Sequence, residues 1–342
     1  MPDGGVPSTI PSTSPWFAYA LRQASEAAAR AAFAWIGRGR KNDGDGAAVH
    51  AMRQALGQLG IDGVVVIGEG AKDGAPELYR GERVGDLAHE PQFDIAVDPV
   101  EGTTYLAKGL TNAMAVIALA PRGAMLDPGP CFYMEKLAAP PTARARLDPE
   151  APAAERLRQL AAALGKPVDQ LTVYLLEKPR HNALVAAIHE AGARVAVYPA
   201  GDIAGAIMAA IPGSGIDALM GTGGTPEGIL AACAVRALGG VLYGRLDPQL
   251  QTETIEVRRA GLGTTRWYEV EELVASEDTF FCATGITSGL LIEGVERGPA
   301  YDRVQTLMII GRTGERQVLT SYYPHARTAQ ALAEENRCLS IA

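Results

Sequence analysis

The sequence predicts an α/β fold in two subdomains, and three observations carry that prediction. Apolar runs of strand length end in loops of glycine and carboxylate residues, as α/β folds place their chemistry at the carboxyl ends of strands. In the second half, three strand, loop and helix units follow one another, which argues for layered packing with the loops converging on one edge. A proline-rich stretch between the halves reads as a connection. The expected boundaries are a flexible tail over residues 1–16, a carboxylate-bearing subdomain over 17–138, the connection over 139–154 and a second α/β subdomain over 155–342.

Residues 1–15 are rich in Pro, Ser and Gly and lack both a basic start and an apolar segment, so they predict a loose tail rather than a signal peptide. Residues 41–46, Lys-Asn-Asp-Gly-Asp-Gly, precede an alanine-rich helical stretch over 47–59, which places Asp45 at a helix start. Taken alone, Asp45 reads as a cap or turn residue. A short apolar strand over 64–67 delivers Glu69 between Gly68 and Gly70.

The most informative segment follows the buried strand expected over 93–97, where Asp98-Pro99-Val100-Glu101-Gly102-Thr103 stands at the carboxyl end. Pro99 is expected to stop strand pairing and force a turn. Two carboxylates three residues apart across such a turn can converge on one point, and hard divalent cations such as Mg2+ and Mn2+ prefer oxygen ligands of this kind. Gly102 lets a substrate oxyanion approach the backbone, and the Thr103 hydroxyl can orient a water. Asp45, Glu69, Asp98 and Glu101 together would repel strongly in one pocket, and cations are the usual remedy.

In the second half, strands are expected over 171–176, 195–198 and 216–220, with helices over 182–191, 203–211 and from Pro226 to residue 238. Lys178 and Arg180 flank Pro179 just before a helix, so two cations and free helix N–H groups could hold one phosphate; the alternative is a pair of solvated surface cations. The glycine loop over 221–225 does not fit the dinucleotide fingerprint, because its register breaks at Pro226. From position alone, Glu227 is a carboxylate complementing a helix dipole. Runs over 303–311 and 316–322 predict a hairpin closing the second sheet.

At this point the chain resembles the class II fructose-1,6-bisphosphatases, the bacterial type within the lithium-sensitive, metal-dependent sugar and inositol phosphatase superfamily. The resemblance runs over about residues 17–323 through collinear blocks. They include Gly37-Arg38-Gly39, Asp45-Gly46-Ala47, Gly68-Glu69-Gly70, Asp98 to Thr104, Tyr133-Met134-Glu135-Lys136, Lys178-Pro179-Arg180-His181, Gly201-Asp202, Gly221 to Gly228 and Ala283-Thr284-Gly285. It implies a layered α/β/α/β/α sandwich. It also implies Mg2+ or Mn2+ held by Asp45, Glu69, Asp98, Glu101 and Glu227, a water oriented by Thr103, and a proton accepted by Asp73. Substrate would be held by Glu101, Gly102, Thr103, Tyr133, Lys178, Pro179, Arg180, Ala200, Gly201, Asp202 and Gly224.

The implied reaction is hydrolysis of the 1-phosphate of fructose 1,6-bisphosphate to fructose 6-phosphate, a step of gluconeogenesis or of the reductive pentose phosphate (Calvin) cycle. Sedoheptulose 1,7-bisphosphate is a possible further substrate. Three departures from the family pattern stand out. Gly70-Ala71-Lys72-Asp73-Gly74 lacks two acids near the metals, Ala200-Gly201-Asp202 lacks a sugar-contacting carboxylate, and the stretch over 244–268 is short.

Composition is that of a soluble metabolic enzyme: 342 residues, 47% of them hydrophobic, suffice for a substantial core. A net charge of −8 disfavours nucleic acid, and no run has the length of a membrane span. Cys131, Cys233, Cys282 and Cys338 show no metal spacing and suit reduced thiols in a cytoplasm. The five histidines offer no zinc pattern, and His181 is expected to serve in hydrogen bonding. No serine-hydrolase elbow is present. The expected protein is a cytoplasmic homodimer or homotetramer acting on a small sugar bisphosphate. Two other readings stay open, an inositol-monophosphatase-like phosphomonoesterase of the same superfold and a non-catalytic sugar-phosphate-binding protein.

Overall fold

A computed structural model of the chain describes residues 16–69, 77–85 and 92–325. Helices α1 (Trp16–Phe33) and α2 (Lys41–Gln58) precede strands β1 (Gly63–Ile67), β2 (Arg83–Val84) and β3 (Phe93–Glu101), the short helix α3 (Thr103–Lys108) and strand β4 (Met114–Pro121). The middle of the chain runs β5 (Tyr133–Ala139), α4 (Ala153–Leu164), β6 (Thr172–Leu176), α5 (Asn182–Glu190), β7 (Arg194–Tyr198), α6 (Ile203–Ala210), β8 (Ala218–Gly224), α7 (Thr225–Ala237) and β9 (Val241–Leu246). Then α8 (Gln251–Arg259), β10 (Trp267–Glu269) and α9 (Val270–Leu273) lead to β11 (Phe280–Gly285), β12 (Glu296–Arg297), β13 (Tyr301–Ile310) and β14 (Glu315–Pro324).

Among the described residues the strands form two sheets. One has eight strands in the order β12-β13-β11-β4-β3-β1-β2, with β14 on β13; the other has six, in the order β10-β9-β5-β8-β6-β7. The expected hairpin is therefore present as β13 and β14, but it belongs to the sheet of β1, β3 and β4 and not to the second sheet. Its place follows from β11, which pairs antiparallel with both β4 and β13 and so draws the end of the chain back to the first sheet. The two sheets thus interleave along the chain.

Strand periodicity explains the layering. On β4, Ala115, Ile117 and Leu119 pack with Leu21, Ala28, Met52 and Leu56 of α1 and α2, while Val116 and Ala118 face the opposite way. That second face meets Ile207 of α6 and Ile229 and Cys233 of α7, which also meet Met134, Ala138 and Leu219 of the six-stranded sheet. The far side of the six-stranded sheet packs Leu137, Val173 and Met220 on Leu157, Leu160 and Ile188 of α4 and α5. Helix, sheet, helix, sheet and helix succeed one another, an α/β sandwich with both sheets flanked by helices. Each fully buried Leu or Ile in these layers contributes roughly 1.5–3 kcal/mol. Helix α6 is buried on every side, and its small residues make that possible: a Cβ on Gly205 would lie 2.5 Å from the Tyr174 ring.

Three local expectations need correction. Helix α2 starts at Lys41, so Asp45 sits within its second turn and not at its start. The Asn-Asp-Gly sequence is absorbed because Gly44 lets α2 press on α3, a Cβ there lying 2.6 Å from Leu106, while Arg40 holds Asp43 in a forked pair. Strand β3 passes through Pro99 to Glu101, because β1 pairs only as far as Ala96 and leaves no ladder bond for the missing N–H to spoil. Strand β8 continues through Gly224, where a loop was expected, zipped against β5 from Ala138 to Tyr133. The parallel pairing of β6 with β7 and β8 matches the expected strand, loop and helix rhythm.

Among the described residues no helix is long and apolar enough to cross a membrane. Cys131, Cys233 and Cys282 are buried and free, as expected, whereas Cys338 lies outside the described residues.

Candidate active site

The carboxyl ends of β3, β7 and β8 meet where the two sheets face each other. The carboxylates of Asp98, Glu101 and Glu227 lie there with one oxygen from each within 4.8 Å of the others. Residues three apart on a regular strand point to opposite faces, yet Asp98 and Glu101 converge. The cause is visible in the register: Asp98 pairs with Val116 and Glu101 with Met114, so β3 spends one residue more than β4 and the parity of the side chains is restored. Glu227, in the first turn of α7, completes the trio. Gly224 makes room for it, since a Cβ at that position would stand 1.7 Å from Oε2 of Glu227.

Glu101 is buried and bound from the second half of the chain. Its Oε1 accepts from the backbone N–H of Asp202 (2.9 Å) and of Ile203 (3.2 Å), donors that the first turn of α6 leaves without intrahelical partners. Burial pushes the Asp98 carboxyl well above the usual range, with Glu101, Glu227 and Glu69 adding repulsion. Glu101 is pushed up to about 8, first by burial and then by Glu227 and Asp202. Three oxygen donors that cannot all carry charge unaided fit a hard divalent cation, which would relieve both the crowding and the burial. The trio is a cluster that could hold a metal.

Glu69 approaches this trio closely enough to act on Asp98, its backbone N–H bonded to the Leu78 carbonyl (3.0 Å). Asp45, half-buried on α2, is not one of the three converging carboxylates. Thr103 is half-buried and opens α3 directly after Gly102, whose positive φ of 83° and a Cβ position 2.5 Å from the Tyr105 ring both demand glycine. Asp73 and Ala71 lie outside the described residues.

The loop from β7 to α6 is fixed residue by residue. The Lys178 ammonium donates to the Pro199 carbonyl (2.9 Å), the Tyr105 hydroxyl to Ala200 (2.5 Å) and the Tyr174 hydroxyl to Gly201 (2.6 Å). Asp202 then pairs with the buried Lys136 ammonium at 2.5 Å. Its second oxygen, Oδ1, is buried and has no partner among the described residues. Arg180 donates twice to the Thr222 carbonyl (3.0 and 2.7 Å) and lies over the Tyr133 ring, 5.2 Å from its centre. The exposed Pro179 starts the short turn Pro179–His181 ahead of α5.

His181 takes the hydrogen-bonding role expected of it: Nε2 accepts from the Thr222 N–H (2.8 Å), so Nδ1 carries the proton toward the Leu176 carbonyl (2.7 Å). Burial lowers its pKa and favours this neutral form.

The structure thus brings Asp98, Glu101, Glu227, Gly224, Gly201 and Asp202 to one place, and sets Tyr133 against Arg180 and Lys178 against the loop of Ala200. Sequence reading assigned no role to Lys136, Tyr105 or Tyr174. A lysine in a strand whose neighbours Met134, Leu137 and Ala138 are all apolar was the available signal for the first. Tyr174 sits inside an apolar run and Tyr105 in the short helix after Thr104, and neither gave a signal.

A family model described as bacterial fructose-1,6-bisphosphatase, glpX-encoded, matches residues 16–323. Similar relatives include fructose-1,6-bisphosphatase 1 class 2 of Escherichia coli strain K12, 43% identical over 302 residues that span 84% of this chain and 89% of the relative. The class 2 fructose-1,6-bisphosphatases of Escherichia coli O6:H1 and of Shigella flexneri match with the same identity, 43%, and the same coverage.

Proposed function

The chain belongs to the class II fructose-1,6-bisphosphatase family, whose members are phosphoric monoester hydrolases, and from that membership we propose that it hydrolyses the 1-phosphate of fructose 1,6-bisphosphate, releasing fructose 6-phosphate. The observation that carries the reading is the convergence of Asp98, Glu101 and Glu227 beside Asp202. An acidic centre suits a metal, and a buried carboxylate oxygen without a partner among the described residues suits a sugar hydroxyl.

In this reading Asp98, Glu101 and Glu227 hold Mg2+ or Mn2+, with Glu69 and Asp45 contributing at the same centre. When bound, such cations neutralise phosphate charge, acidify a water and stabilise the leaving oxygen. The Thr103 hydroxyl, two residues beyond Glu101, orients the attacking water, and Asp73 accepts its proton. Asp202 accepts a hydrogen bond from the sugar. Lys178 and Arg180, with Tyr133, hold the phosphate that is not cleaved, the Arg180 fork turning from the Thr222 carbonyl to the anion. Ala200 leaves space where a further carboxylate would stand, which suits a seven-carbon bisphosphate as a second substrate.

Two cations on one turn, Lys178 and Arg180, favour a bisphosphate over an inositol monophosphate. The test is phosphate release with Mg2+ or Mn2+ over a panel of fructose 1,6-bisphosphate, sedoheptulose 1,7-bisphosphate and inositol monophosphate. The reading expects the bisphosphates to be hydrolysed with the higher kcat/KM. Preference for the monophosphate, or binding without release, would replace it.

A further inference from the structure

Lys136 lies in the middle of β5 and is 1% exposed, an unusual place for an ammonium group. It faces the inner helical layer, on the same side of the strand as Met134 and Ala138. Its Nζ reaches two groups from two different crossovers: Oδ2 of Asp202 at 2.5 Å, and the carbonyl of Gly224 at 2.8 Å. Asp202 stands immediately before α6, and Gly224 immediately before α7, the helix that carries Glu227.

The surroundings are shaped for this pair. A Cβ on Gly223 would stand 1.8 Å from Oδ2 of Asp202 and 3.0 Å from Nζ of Lys136, and one on Gly228 would stand 3.3 Å from Cδ of Lys136. Moving a lysine and an aspartate out of water is costly, and the pairing offsets that cost without improving on an apolar pair of the same volume. A purely structural demand would be met by an apolar pair at positions 136 and 202. What the ion pair adds is orientation: with Oδ2 held by the ammonium and the backbone N–H held by Glu101, the Asp202 side chain has one oxygen left, Oδ1, buried and without a partner among the described residues.

We propose that Lys136 is a positioning residue for the sugar: it holds Oδ2 of Asp202 so that Oδ1 is presented to a hydroxyl of the bound sugar phosphate. The inference rests on the site proposed above but concerns binding of the sugar and not the cleavage step. Lys136 does not touch the substrate; it acts through Asp202, and its effect therefore disappears when Asp202 can no longer accept. Gly224 shares the same ammonium, so the sugar-facing loop and the start of the metal-facing helix are registered against one buried charge.

The test is a double-mutant cycle with Lys136→Met, Asp202→Asn and the double variant, read by calorimetric affinity for fructose 6-phosphate on chelated protein. Each single change should weaken binding about tenfold, the scale of one charge-assisted hydrogen bond, and the double variant should bind within about twofold of Asp202→Asn. Lys136→Met strands a buried carboxylate; should it fail to fold, the double variant, which buries no charge at either position, is compared with Asp202→Asn alone, and the two should bind within about twofold of each other. Unaltered affinity in the Lys136 variant, effects that multiply in the double variant, or no binding of fructose 6-phosphate by the wild type would overturn the inference. Phosphate release by the wild type from fructose 1,6-bisphosphate is measured beside it. Binding that follows the cycle without turnover would sink the catalytic reading and leave the positioning role standing.

Discussion

The backbone N–H of Asp202 donates to Oε1 of Glu101 across 2.9 Å, joining residues 101 positions apart in the chain. One end of this bond belongs to the bulged strand that gathers the acidic trio, and the other stands at the start of α6, after the loop over residues 199–202. Glu101 thereby sits at the junction of the acidic centre and the loop over residues 199–202. The surrounding loop is fixed in turn by side-chain to backbone bonds from Lys178, Tyr105 and Tyr174.

Gly224→Ala should displace Glu227 without unfolding the protein. The backbone at Gly224 has φ −70° and ψ 142°, open to any residue, so the penalty is steric and falls on the Glu227 carboxylate, 1.7 Å from the added methyl group. The expected outcome is a melting temperature near that of the wild type together with weaker activation by metal. Metal titration of phosphate release checks it, and an unchanged activation curve would free Glu227 from the metal.

Thr103→Val removes a hydroxyl and keeps the shape. If that hydroxyl orients the nucleophile, kcat should fall roughly 100-fold or more while KM changes little, the pattern of an interaction made in the transition state. Steady-state kinetics decide; an unchanged kcat moves water activation to another group.

Lys178→Ala and Arg180→Ala should act on KM. Each loses one charge-assisted hydrogen bond to the phosphate that stays, of the order of 1.5–3 kcal/mol. The Arg180 change also removes its cover of the Tyr133 ring, so its effect should be the larger. Wild-type KM values for a bisphosphate in both variants would make this loop a surface feature.

The metal-free protein should lose stability as pH rises. Glu101 titrates at about 8 in the fold against an ordinary 4.5, and Asp98 is raised in the same direction, so the folded chain binds more protons than the unfolded one between those values. Stability is then fully present below pH 4.5 and is lost as pH rises through about 8. Metal binding should reverse this trend and release protons near neutral pH. Melting temperatures of chelated protein across this range, with and without restored Mn2+, measure it; a melting temperature that climbs with pH in the chelated protein would contradict the assignment.

Much of this was legible in the sequence because period and punctuation coincide there. The runs at β1, β6, β7 and α7 are bounded by glycine, proline or acidic residues, and their positions were readable to within a residue or two. The acidic hexapeptide located Asp98 and Glu101 for the same reason. What failed was long-range. Pro99 argued for a turn, but one strand neighbour stops at Ala96, so the local rule had nothing to act on. The glycines over 221–224 read as a loop, yet they are small because Asp202, His181 and Glu227 press on them, and that pressure comes from distant segments. The role of Lys136 depends on a partner on another crossover, which no spacing rule reaches.

The central claim is metal-dependent hydrolysis of a sugar bisphosphate at the carboxylate trio, and phosphate release from fructose 1,6-bisphosphate tests it most directly. It is measured for wild type and for Asp98→Asn, before chelation, after it, and after Mg2+ or Mn2+ is restored. Wild-type release should vanish on chelation and return with metal, and Asp98→Asn, which removes the charge while keeping the shape, should stay inactive in every condition although folded. Full release by the chelated wild type, or wild-type release by Asp98→Asn, would contradict the account.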